Sequence, residues 1–300
     1  MPYVLLCISL TLGVGKNLLS AVGKEKFQGL KNLLFLNVVT ALAGFIVFSI
    51  SGIRFSLMQG WQFFTLSALY ALFTVLSQTF FVMAVKSGET SVCSMIYSSG
   101  FLIPTLFSIF YFHENASVWK IVGIILLFIS VFVISVPLGK KSGEKKRKYL
   151  PLAFAAMLCS GGVGVLQKLF ADVCNVKAQN EFLLFAFFLI LIFSLASRLM
   201  LQKRTATAPV SANSQDAATP EKKYIFWLLA TAFALCIALT NKFNLYLGGA
   251  IDGVIFFPVY NGGCIVFTGI FSALLLKEKP TKQKWLGILG GLLAIVFISL

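Results

Sequence analysis

The sequence predicts an all-α integral membrane protein with ten transmembrane helices arranged as two inverted five-helix repeats. Three observations support this prediction: an apolar composition, ten apolar stretches of membrane-spanning length, and an internal repeat. Hydrophobic residues make up 58% of the 300 residues and charged residues only 12%, whereas a typical soluble domain has about 25% charged residues. A surface this poor in charge does not suit a soluble globule, and the expected partner of most of the chain is the lipid bilayer.

Ten apolar stretches come close to the length of about 20 residues that a helix needs to cross the hydrocarbon core. They are residues 3–22, 31–50, 61–85, 90–112, 118–138, 150–171, 181–201, 224–248, 253–276 and 283–300. Most connections between them are short, which predicts that consecutive helices are antiparallel neighbours. Residues 140–148 form a basic connecting loop. Residues 203–223 are rich in Ala, Ser, Thr and Pro, a composition that predicts a disordered surface loop.

The charge balance and the cysteines exclude several classes of function. The net charge of +15 would suggest nucleic-acid binding in a soluble protein, but basic residues also gather in the cytoplasmic loops of membrane proteins. No nucleic-acid partner is therefore expected. The six cysteines lie in or beside apolar stretches without CxxC or metal-ligand spacing, so no disulfide, metal site or cofactor is expected. The first stretch lacks a basic leader and a clear cleavage site, which predicts a retained span.

The two halves of the chain repeat each other. The segment ALFTVLSQTF of the third span matches ALCIALTNKF of the eighth at an offset of 163 residues, and a longer match around the fourth and fifth spans has an offset of 164. We therefore predict a first repeat over residues 1–139 and a second over 149–300. Because five is an odd number of spans, the second repeat enters the membrane with the opposite orientation. Inverted repeats of this kind are typical of secondary transporters that work by alternating access.

Two copies of one motif carry a family resemblance. Each copy is a span that ends in Glu, a short polar loop, and a following span that begins with Trp and Gly: FYFHENASVWKIVGI and LLLKEKPTKQKWLGI. Pro104 precedes the first of these Glu residues, and the first span contains the glycine-bearing LTLGVGKNLL. With these features the chain resembles the EamA-domain members of the drug/metabolite transporter superfamily over nearly its whole length. The resemblance implies a secondary transporter of amino acids, other metabolites or drugs, without naming the substrate.

Two lysines lie inside apolar spans without an obvious carboxylate partner. Lys16 lies well inside the first span, and Lys242 lies in the eighth beside Asn241, whereas all ten carboxylates lie near span ends or in loops. Because a charge at membrane depth is costly, one interpretation is an aqueous cavity that attracts an anionic or carboxylate-bearing substrate. The other interpretation is that each side chain extends to the nearer interface. The sequence leaves both open.

The expected substrate site lies between the halves, close to Lys242. The repeat makes Gln78 equivalent to Asn241 and Tyr97 equivalent to Asn261, which places polar side chains of both halves near one centre. The candidate substrate-binding residues are Lys242, Asn241, Gln78, Tyr97, Tyr260, Asn261, Lys16 and Asn17. Neutral polar residues also form hydrogen bonds across helix contacts, worth under about 1 kcal/mol each, and this alternative stays open for them.

Other ionisable residues and glycines are expected at helix ends and helix contacts. Glu114 and Glu278 end their spans, and Asp252 precedes the ninth span as an expected N-cap. Lys168, near the end of the sixth span, is expected to extend to the membrane interface. Glycines cluster at 161–164 and at 287–291, which favours helix packing rather than hinges.

The expected function is non-ATP transport of a small metabolite, amino-acid-like or anionic, by a multi-pass protein of the cell membrane. The chain has no GxxxxGK[ST] motif for ATP. A lipid-carrier flippase of the same fold is an alternative, in which Lys16 and Lys242 meet a phosphate. A polytopic membrane enzyme is the second alternative, but the single histidine, His113, has no companion cluster, so enzyme activity is not expected. The expected assembly is a monomer or a homodimer.

Basic residues are divided unequally between the two sides of the membrane. The loops after odd-numbered spans hold about nineteen Lys and Arg residues, whereas those after even-numbered spans hold only Arg54, Lys120 and Lys177. The positive-inside rule then predicts extracytoplasmic termini, although the family resemblance suggests that both termini are cytoplasmic.

We follow the charge distribution and expect a reporter fused after Leu300 to be active if it functions only outside the cytoplasm. Topology reporters of opposite compartment requirements, fused at the same residue, measure this directly. Activity of the cytoplasmic reporter alone would show that the charge distribution does not set the orientation.

Overall fold

The computed structural model describes residues 1–23, 30–58, 60–87, 90–135, 149–174, 176–206, 220–276 and 281–300. Within these ranges the chain forms ten helices that coincide with the ten predicted spans, and no strand. They are α1 (Pro2–Val22), α2 (Leu30–Ile50), α3 (Trp61–Ser87), α4 (Thr90–Ser98 and Leu102–Phe110, joined by the 3-10 turn Ser99–Phe101), α5 (Val118–Ser135), α6 (Leu150–Val173), α7 (Gln179–Ala206), α8 (Pro220–Ala250), α9 (Gly253–Leu275) and α10 (Lys282–Ser299). The predicted all-α membrane fold is confirmed.

The lengths and compositions of the helices suit a bilayer. Of the described residues, nine helices are long and apolar enough to cross a membrane, and in α2 the apolar segment is shorter, Phe35–Ile50. The predicted disordered loop at 203–223 is too long, because α7 continues to Ala206 and α8 already begins at Pro220. A proline in the first turn suits a helix start, and basic residues near the end of α7 suit its dipole. Residues 207–219, the predicted loop 140–148 and Glu278 lie outside the described residues.

Contacts among loops and helix ends show which helix ends lie on the same face of the molecule. Glu114, between α4 and α5, forms an ion pair with Lys168 near the end of α6. Glu181, at the start of α7, accepts a hydrogen bond from the backbone N–H of Arg54, between α2 and α3. Residues 1 and 300 lie on this same face, which we call the terminal face. The opposite face, where the described residues Lys86, Lys282 and Lys284 lie at helix ends, is called the basic face.

The four tryptophans mark the two membrane interfaces. Trp61 and Trp119 lie at the starts of α3 and α5 on the terminal face, and Trp227 and Trp285 lie near the starts of α8 and α10 on the basic face. All four side chains are exposed on the protein surface. Because Trp is enriched at headgroup level, two tryptophans at each end agree with a bilayer that spans the bundle between them.

The helix contacts follow a pseudo-twofold pattern in which each helix is related to the one five positions later. Helix α1 packs on α8 as α6 packs on α3, and α2 packs on α8 as α7 packs on α3. In the same way, α1 packs on α9 as α6 packs on α4, and equivalent helices also meet directly, namely α2 with α7, α4 with α9 and α5 with α10. Helices α3 and α8 therefore each pack mainly against the opposite half.

The crossing of α5 and α10 shows the direction of the twofold axis. A Cβ atom at Gly123 would lie 2.7 Å from Cγ1 of Ile298, and one at Gly287 would lie 2.6 Å from Cγ1 of Ile134. Both pairs, Gly123 with Gly287 and Ile134 with Ile298, are related by the 164-residue offset. The start of each helix thus contacts the end of the other, so the equivalent helices are antiparallel. For membrane-crossing helices, the axis that relates them lies in the membrane plane, as in inverted repeats.

Prolines and glycines shape the helices around the centre of the bundle. Pro104 lacks an amide hydrogen and its ring conflicts with the carbonyl group of Gly100, which accounts for the 3-10 turn in α4. Pro258 lies inside α9 and leaves the carbonyl group of Val254 without its helical donor. Side chains added at residues 161, 162 and 164 of α6 would collide with α4 or α3. The predicted packing role of these glycines is confirmed.

We expect Gly123→Ala and Gly287→Ala to lower the free energy of unfolding by about 1–3 kcal/mol, the usual cost of overpacking. At each site the added Cβ meets a backbone atom of the opposite helix within 3.1 Å, so relief requires a helix shift. Thermal unfolding in lipid nanodiscs measures the effect.

Gly15→Ala is the matched control, since a Cβ at Gly15 meets nothing within 4 Å. This variant should be as stable as the native chain or slightly more stable, because alanine favours the helix. Equal destabilisation by all three substitutions would contradict the inferred crossing.

Candidate functional site

A cavity of about 270 Å³ lies between the two halves. Helices α1 to α4 and α6 to α9 contribute to its lining, so both repeats form its wall. Six of the eight predicted site residues line it, namely Lys16, Gln78, Tyr97, Asn241, Tyr260 and Asn261. The cavity therefore brings together most of the polar residues that the repeat marked, while their part in substrate binding remains a prediction.

Equivalent faces of α3 and α8 oppose each other across this cavity. Thr74, Ser77 and Gln78 line it from α3, and their equivalents Ile237, Thr240 and Asn241 line it from α8. The two sets are related by the 163-residue offset that is visible in the sequence. Each set follows the i, i+3, i+4 spacing of one helix face. The cavity thus lies on the pseudo-twofold axis.

Lys242 does not belong to this lining, contrary to the prediction. One residue along a helix is a rotation of about 100°, and the face of α8 that meets the cavity carries Ile237, Thr240, Asn241 and Asn244. Lys242 lies beside that face and is half-buried. Its sequence neighbours were placed correctly, but its own direction around the helix was not.

Asn17 is also outside the cavity. Its Nδ2 donates a hydrogen bond of 3.1 Å to Oγ1 of Thr268. This bond joins α1 to α9 between the halves. Asn17 therefore fits the alternative that polar residues in spans link neighbouring helices.

Lys16 is the basic side chain in the cavity wall. It lies one turn from Gly13, where an added Cβ would meet Sγ of Cys264 at 2.6 Å and the hydroxyl oxygen of Tyr260 at 3.0 Å. Glycine at this position lets α1 approach α9 closely, and Lys16 extends from the same side of α1. Within the described residues, no carboxylate forms an ion pair with Lys16.

Two buried donor groups in the cavity wall lack a hydrogen-bond partner in the described part of the chain. They are Nδ2 of Asn37, in a residue 8% exposed, and Oγ1 of Thr240, in a residue 5% exposed. Both residues line the cavity. Because buried polar groups are nearly always paired with protein, water or ligand, these two donors are candidates for hydrogen bonds to a molecule bound in the cavity.

Other polar side chains are held in place by bonds that cross between helices. Oδ1 of Asn241 accepts a 2.7 Å hydrogen bond from the Tyr70 hydroxyl, and its Nδ2 donates to the Ile237 carbonyl at 2.9 Å. The Ser9 hydroxyl donates to Oδ1 of Asn244 at 2.6 Å. These bonds tie α8 to α3 and to α1, which fixes the orientation of the cavity wall.

A row of residues on α6 belongs to the site but was missed in the sequence. Ser160, Val163, Gly164 and Gln167 all line the cavity, and Gln167 forms a hydrogen bond with Tyr70. Their i, i+3, i+4, i+7 spacing and the presence of a glutamine in an apolar helix are visible in the sequence, and together they could have indicated a cavity-facing side of α6. Gln167 lies outside the segments in which the two halves match, which is why the repeat did not reveal it.

Comparison with known proteins identifies the family. The model of the EamA-like transporter family matches residues 147–300, which is just over half of the chain. The chain belongs to the EamA-like transporter family. It is therefore a multi-pass membrane transporter with a small-molecule substrate, and members of this family are transporters rather than enzymes.

A solved structure shows the fold of this EamA-like transporter independently. The structure titled "Crystal structure of protein" aligns with a TM-score of 0.72 over 98% of this chain and 96% of that chain, at 15% sequence identity. At this identity the similarity concerns the fold alone. No curated protein sequence matches the chain.

A second polar cluster lies on the terminal face of the transporter. Glu114 Oε1 is 2.7 Å from Lys168 Nζ, and Glu114 Oε2 accepts a 3.0 Å hydrogen bond from the backbone N–H of Val254 in the first turn of α9. The expected N-cap, Asp252, occupies the cap position but accepts no hydrogen bond with its side chain. The carboxylate of Glu114 caps α9 instead.

Lys168 is likewise not the interface anchor that was expected. Its side chain is only 11% exposed, and its Nζ also donates to the carbonyl oxygen of Ile251 at 3.3 Å and lies 5.5 Å from the centre of the Phe112 ring. A lysine in the last turns of a helix usually reaches water, but here a carboxylate brought by the α4–α5 loop provides a closer partner.

We expect Asn241→Cys to react with a water-soluble, membrane-impermeant thiol reagent, because residue 241 lines the cavity. Leu239→Cys is the control, since Leu239 lies on the opposite, exposed apolar side of α8, where lipid contact excludes the reagent. Peptide-resolved mass spectrometry of labelled vesicles measures both rates. Equal labelling at the two positions would show that the face of α8 assigned to the cavity is wrong.

Proposed function

We propose that this EamA-like transporter carries a small, negatively charged metabolite, amino-acid-like or otherwise anionic, across the cell membrane by alternating access. The observation that carries the proposal is the charge of Lys16. This residue lies in the wall of a cavity that both inverted halves line, and it has no carboxylate partner among the described residues. The proposed moving units are the two predicted repeats, residues 1–139 and 149–300.

The size of the cavity favours a small solute. Pockets for drug-sized ligands usually measure about 300–1,000 Å³, and this cavity of about 270 Å³ lies just below that range. A bulky drug does not fit this conformation. A metabolite that consists of a charged group and a few further heavy atoms does fit.

The chemistry of the wall favours a carboxylate or phosphate. A lysine ammonium attracts an anion strongly where water is scarce, because the effective dielectric constant is low. The unpaired donors of Asn37 and Thr240 add hydrogen bonds that a carboxylate or phosphate oxygen accepts. An anion bound there offsets the cost of keeping Lys16 charged inside the membrane.

Other parts of the wall suit the remainder of an amino-acid-like molecule. Nδ2 of Asn261 donates to the Phe257 carbonyl at 2.9 Å, which leaves its Oδ1 to accept a hydrogen bond from an ammonium or hydroxyl group. Aromatic rings of Tyr97, Phe256 and Phe257 also line the cavity and supply apolar contact. The site therefore offers donors for an anionic group together with an acceptor and an apolar surface.

We expect Lys16→Gln to lower the apparent affinity for the physiological substrate about 10- to 100-fold. This change is equivalent to the loss of a hydrogen bond to a charged group, worth about 1.5–3 kcal/mol. Metabolite profiling of cells that overproduce or lack the protein selects the candidate substrate. Uptake of that compound into vesicles with reconstituted protein then gives KM and the maximal rate. Lys16→Arg keeps the charge and should retain part of the affinity.

Lys242→Gln is the matched control, because it removes the same charge from a residue that does not line the cavity. Its KM should equal that of the native protein at equal protein level. Native affinity in Lys16→Gln, or a metabolite profile dominated by cations, would overturn the proposal of an anion bound at Lys16.

A further inference from the structure

We propose that the ion pair between Glu114 and Lys168 is the gate that holds the terminal face of the transporter closed. Glu114 belongs to the first repeat and Lys168 to the second. This inference rests on the alternating access proposed above, but it depends neither on the substrate nor on Lys16. It assigns a task to two residues that the cavity does not use.

The ion pair is part of a clasp between the halves. Both carboxylate oxygens of Glu114 bind residues of the second repeat. Oε1 pairs with Lys168 of α6, and Oε2 accepts a hydrogen bond from the backbone amide of Val254 in α9. Lys168 also donates to the carbonyl group of Ile251, just before α9. One carboxylate from the first half thus joins the end of α6 to the start of α9, and Lys168 extends the cluster to the segment between α8 and α9.

The loop that presents Glu114 is itself held in a defined conformation. The preceding residue, His113, has a φ of 51°, in the left-handed region that few residues other than glycine adopt at low cost. The Glu114 amide donates to the carbonyl oxygen of Ser108 at 3.3 Å, which returns the chain toward the end of α4. This local turn positions the carboxylate against the opposite half.

Close packing continues from the ion pair toward the cavity. A Cβ at Gly253 of α9 would collide with the Ser108 side chain of α4, and a Cβ at Gly164 of α6 would lie 2.8 Å from Cγ of Pro104. Pro104 and Gly164 line the cavity, so α4, α6 and α9 are in contact from the cavity to the terminal face. Opening a path to this face requires α4 to separate from α6 and α9, and that separation breaks the bonds of Glu114.

The energetic setting suits a gate. Both side chains are about nine-tenths buried, with 11% and 10% exposed, and the attraction between buried charges is screened less by salt than that of surface pairs. When the halves separate, water can hydrate both groups, which compensates for part of the lost attraction. The pair therefore favours the closed terminal face without making its opening prohibitive.

Side-specific labelling of a reporter cysteine tests the gate. Thr74→Cys places a thiol in the cavity wall near the middle of α3, and an impermeant maleimide is added to right-side-out or inside-out vesicles. Mass spectrometry of the peptide that contains residue 74 separates its signal from those of the native cysteines. With Lys168→Gln, labelling from the terminal face should rise at least about fivefold, the lower end of usual coupling strengths, and labelling from the basic face should fall.

Three further variants separate a gate from a general structural role. Lys168→Arg keeps the ion pair and should leave labelling near native rates. Glu114→Gln combined with Lys168→Gln removes both charges without leaving either one buried alone, and should reproduce the shift if Lys168→Gln by itself fails to fold. Lys120→Gln is the matched control on the terminal face, because Nζ of Lys120 donates to the Asn115 carbonyl within the same half.

Rates that stay unchanged from both faces, or that rise together from both faces, in folded Lys168→Gln or in the double variant would overturn the gate. Unfolding temperature and elution as a single species establish that each variant is folded. Because the labelling needs no substrate, a failed gate is distinguishable from a failed substrate assignment, which is measured through KM in the Lys16 variants.

Discussion

The antiparallel crossing of α5 and α10 fixes the relation between the two halves, and much of the architecture follows from it. In a bilayer, helices gain little from burying apolar surface against each other, so their association depends on close packing and polar contacts. Gly123 and Gly287 provide that close approach at positions related by the repeat offset. Because the crossing is antiparallel, the halves are inverted, and their equivalent faces on α3 and α8 meet across one central cavity.

Departures from the twofold relation give the two halves different tasks. The cavity is built from equivalent faces of α3 and α8, yet its lining lysine, Lys16, is on α1, and the equivalent helix α6 contributes Gln167 instead. Likewise, Glu114 of the first half clasps the second half on the terminal face. In the mechanism proposed above, the repeats are the two units that rock, Lys16 is the binding charge, and Glu114 holds the terminal face closed.

Properties that depend on local sequence could be predicted, and those that depend on helix rotation or distant loops could not. The ten spans, the inverted halves and the position of Gln78 and Asn241 in one cavity wall follow from apolar lengths and a repeated polar pair. Lys242 was misplaced because a one-residue step turns a side chain by about 100°, and a mostly apolar helix shows little of which side faces inward. The side of α8 that faces the cavity is recognised only from the structure, in which Thr240, Asn241 and Asn244 share one face.

The partners of Glu114 illustrate the other limit. The motif placed this residue at the end of a span, but its contacts are Lys168 and the amide of Val254, which is 140 residues away in the chain. Asp252 had the better local signal for capping α9, being the right residue type at the right position. The α4–α5 loop brings a second carboxylate to the same amides, and tertiary geometry decides between the two.

Alternating access, as proposed for this transporter, requires the two inverted halves to rock about the cavity and open its two faces in turn. Distance measurements between paired spin labels test it most directly, with Ser117 and Ala250 labelled on the terminal face and Ser87 and Lys282 on the basic face, all of them exposed. The measurement is made in nanodiscs on native protein and on the Lys168→Gln variant. If the halves rock, the distance across one face lengthens as the distance across the other shortens. Distances that change in the same sense at both faces, or that do not change in a folded variant, would contradict it.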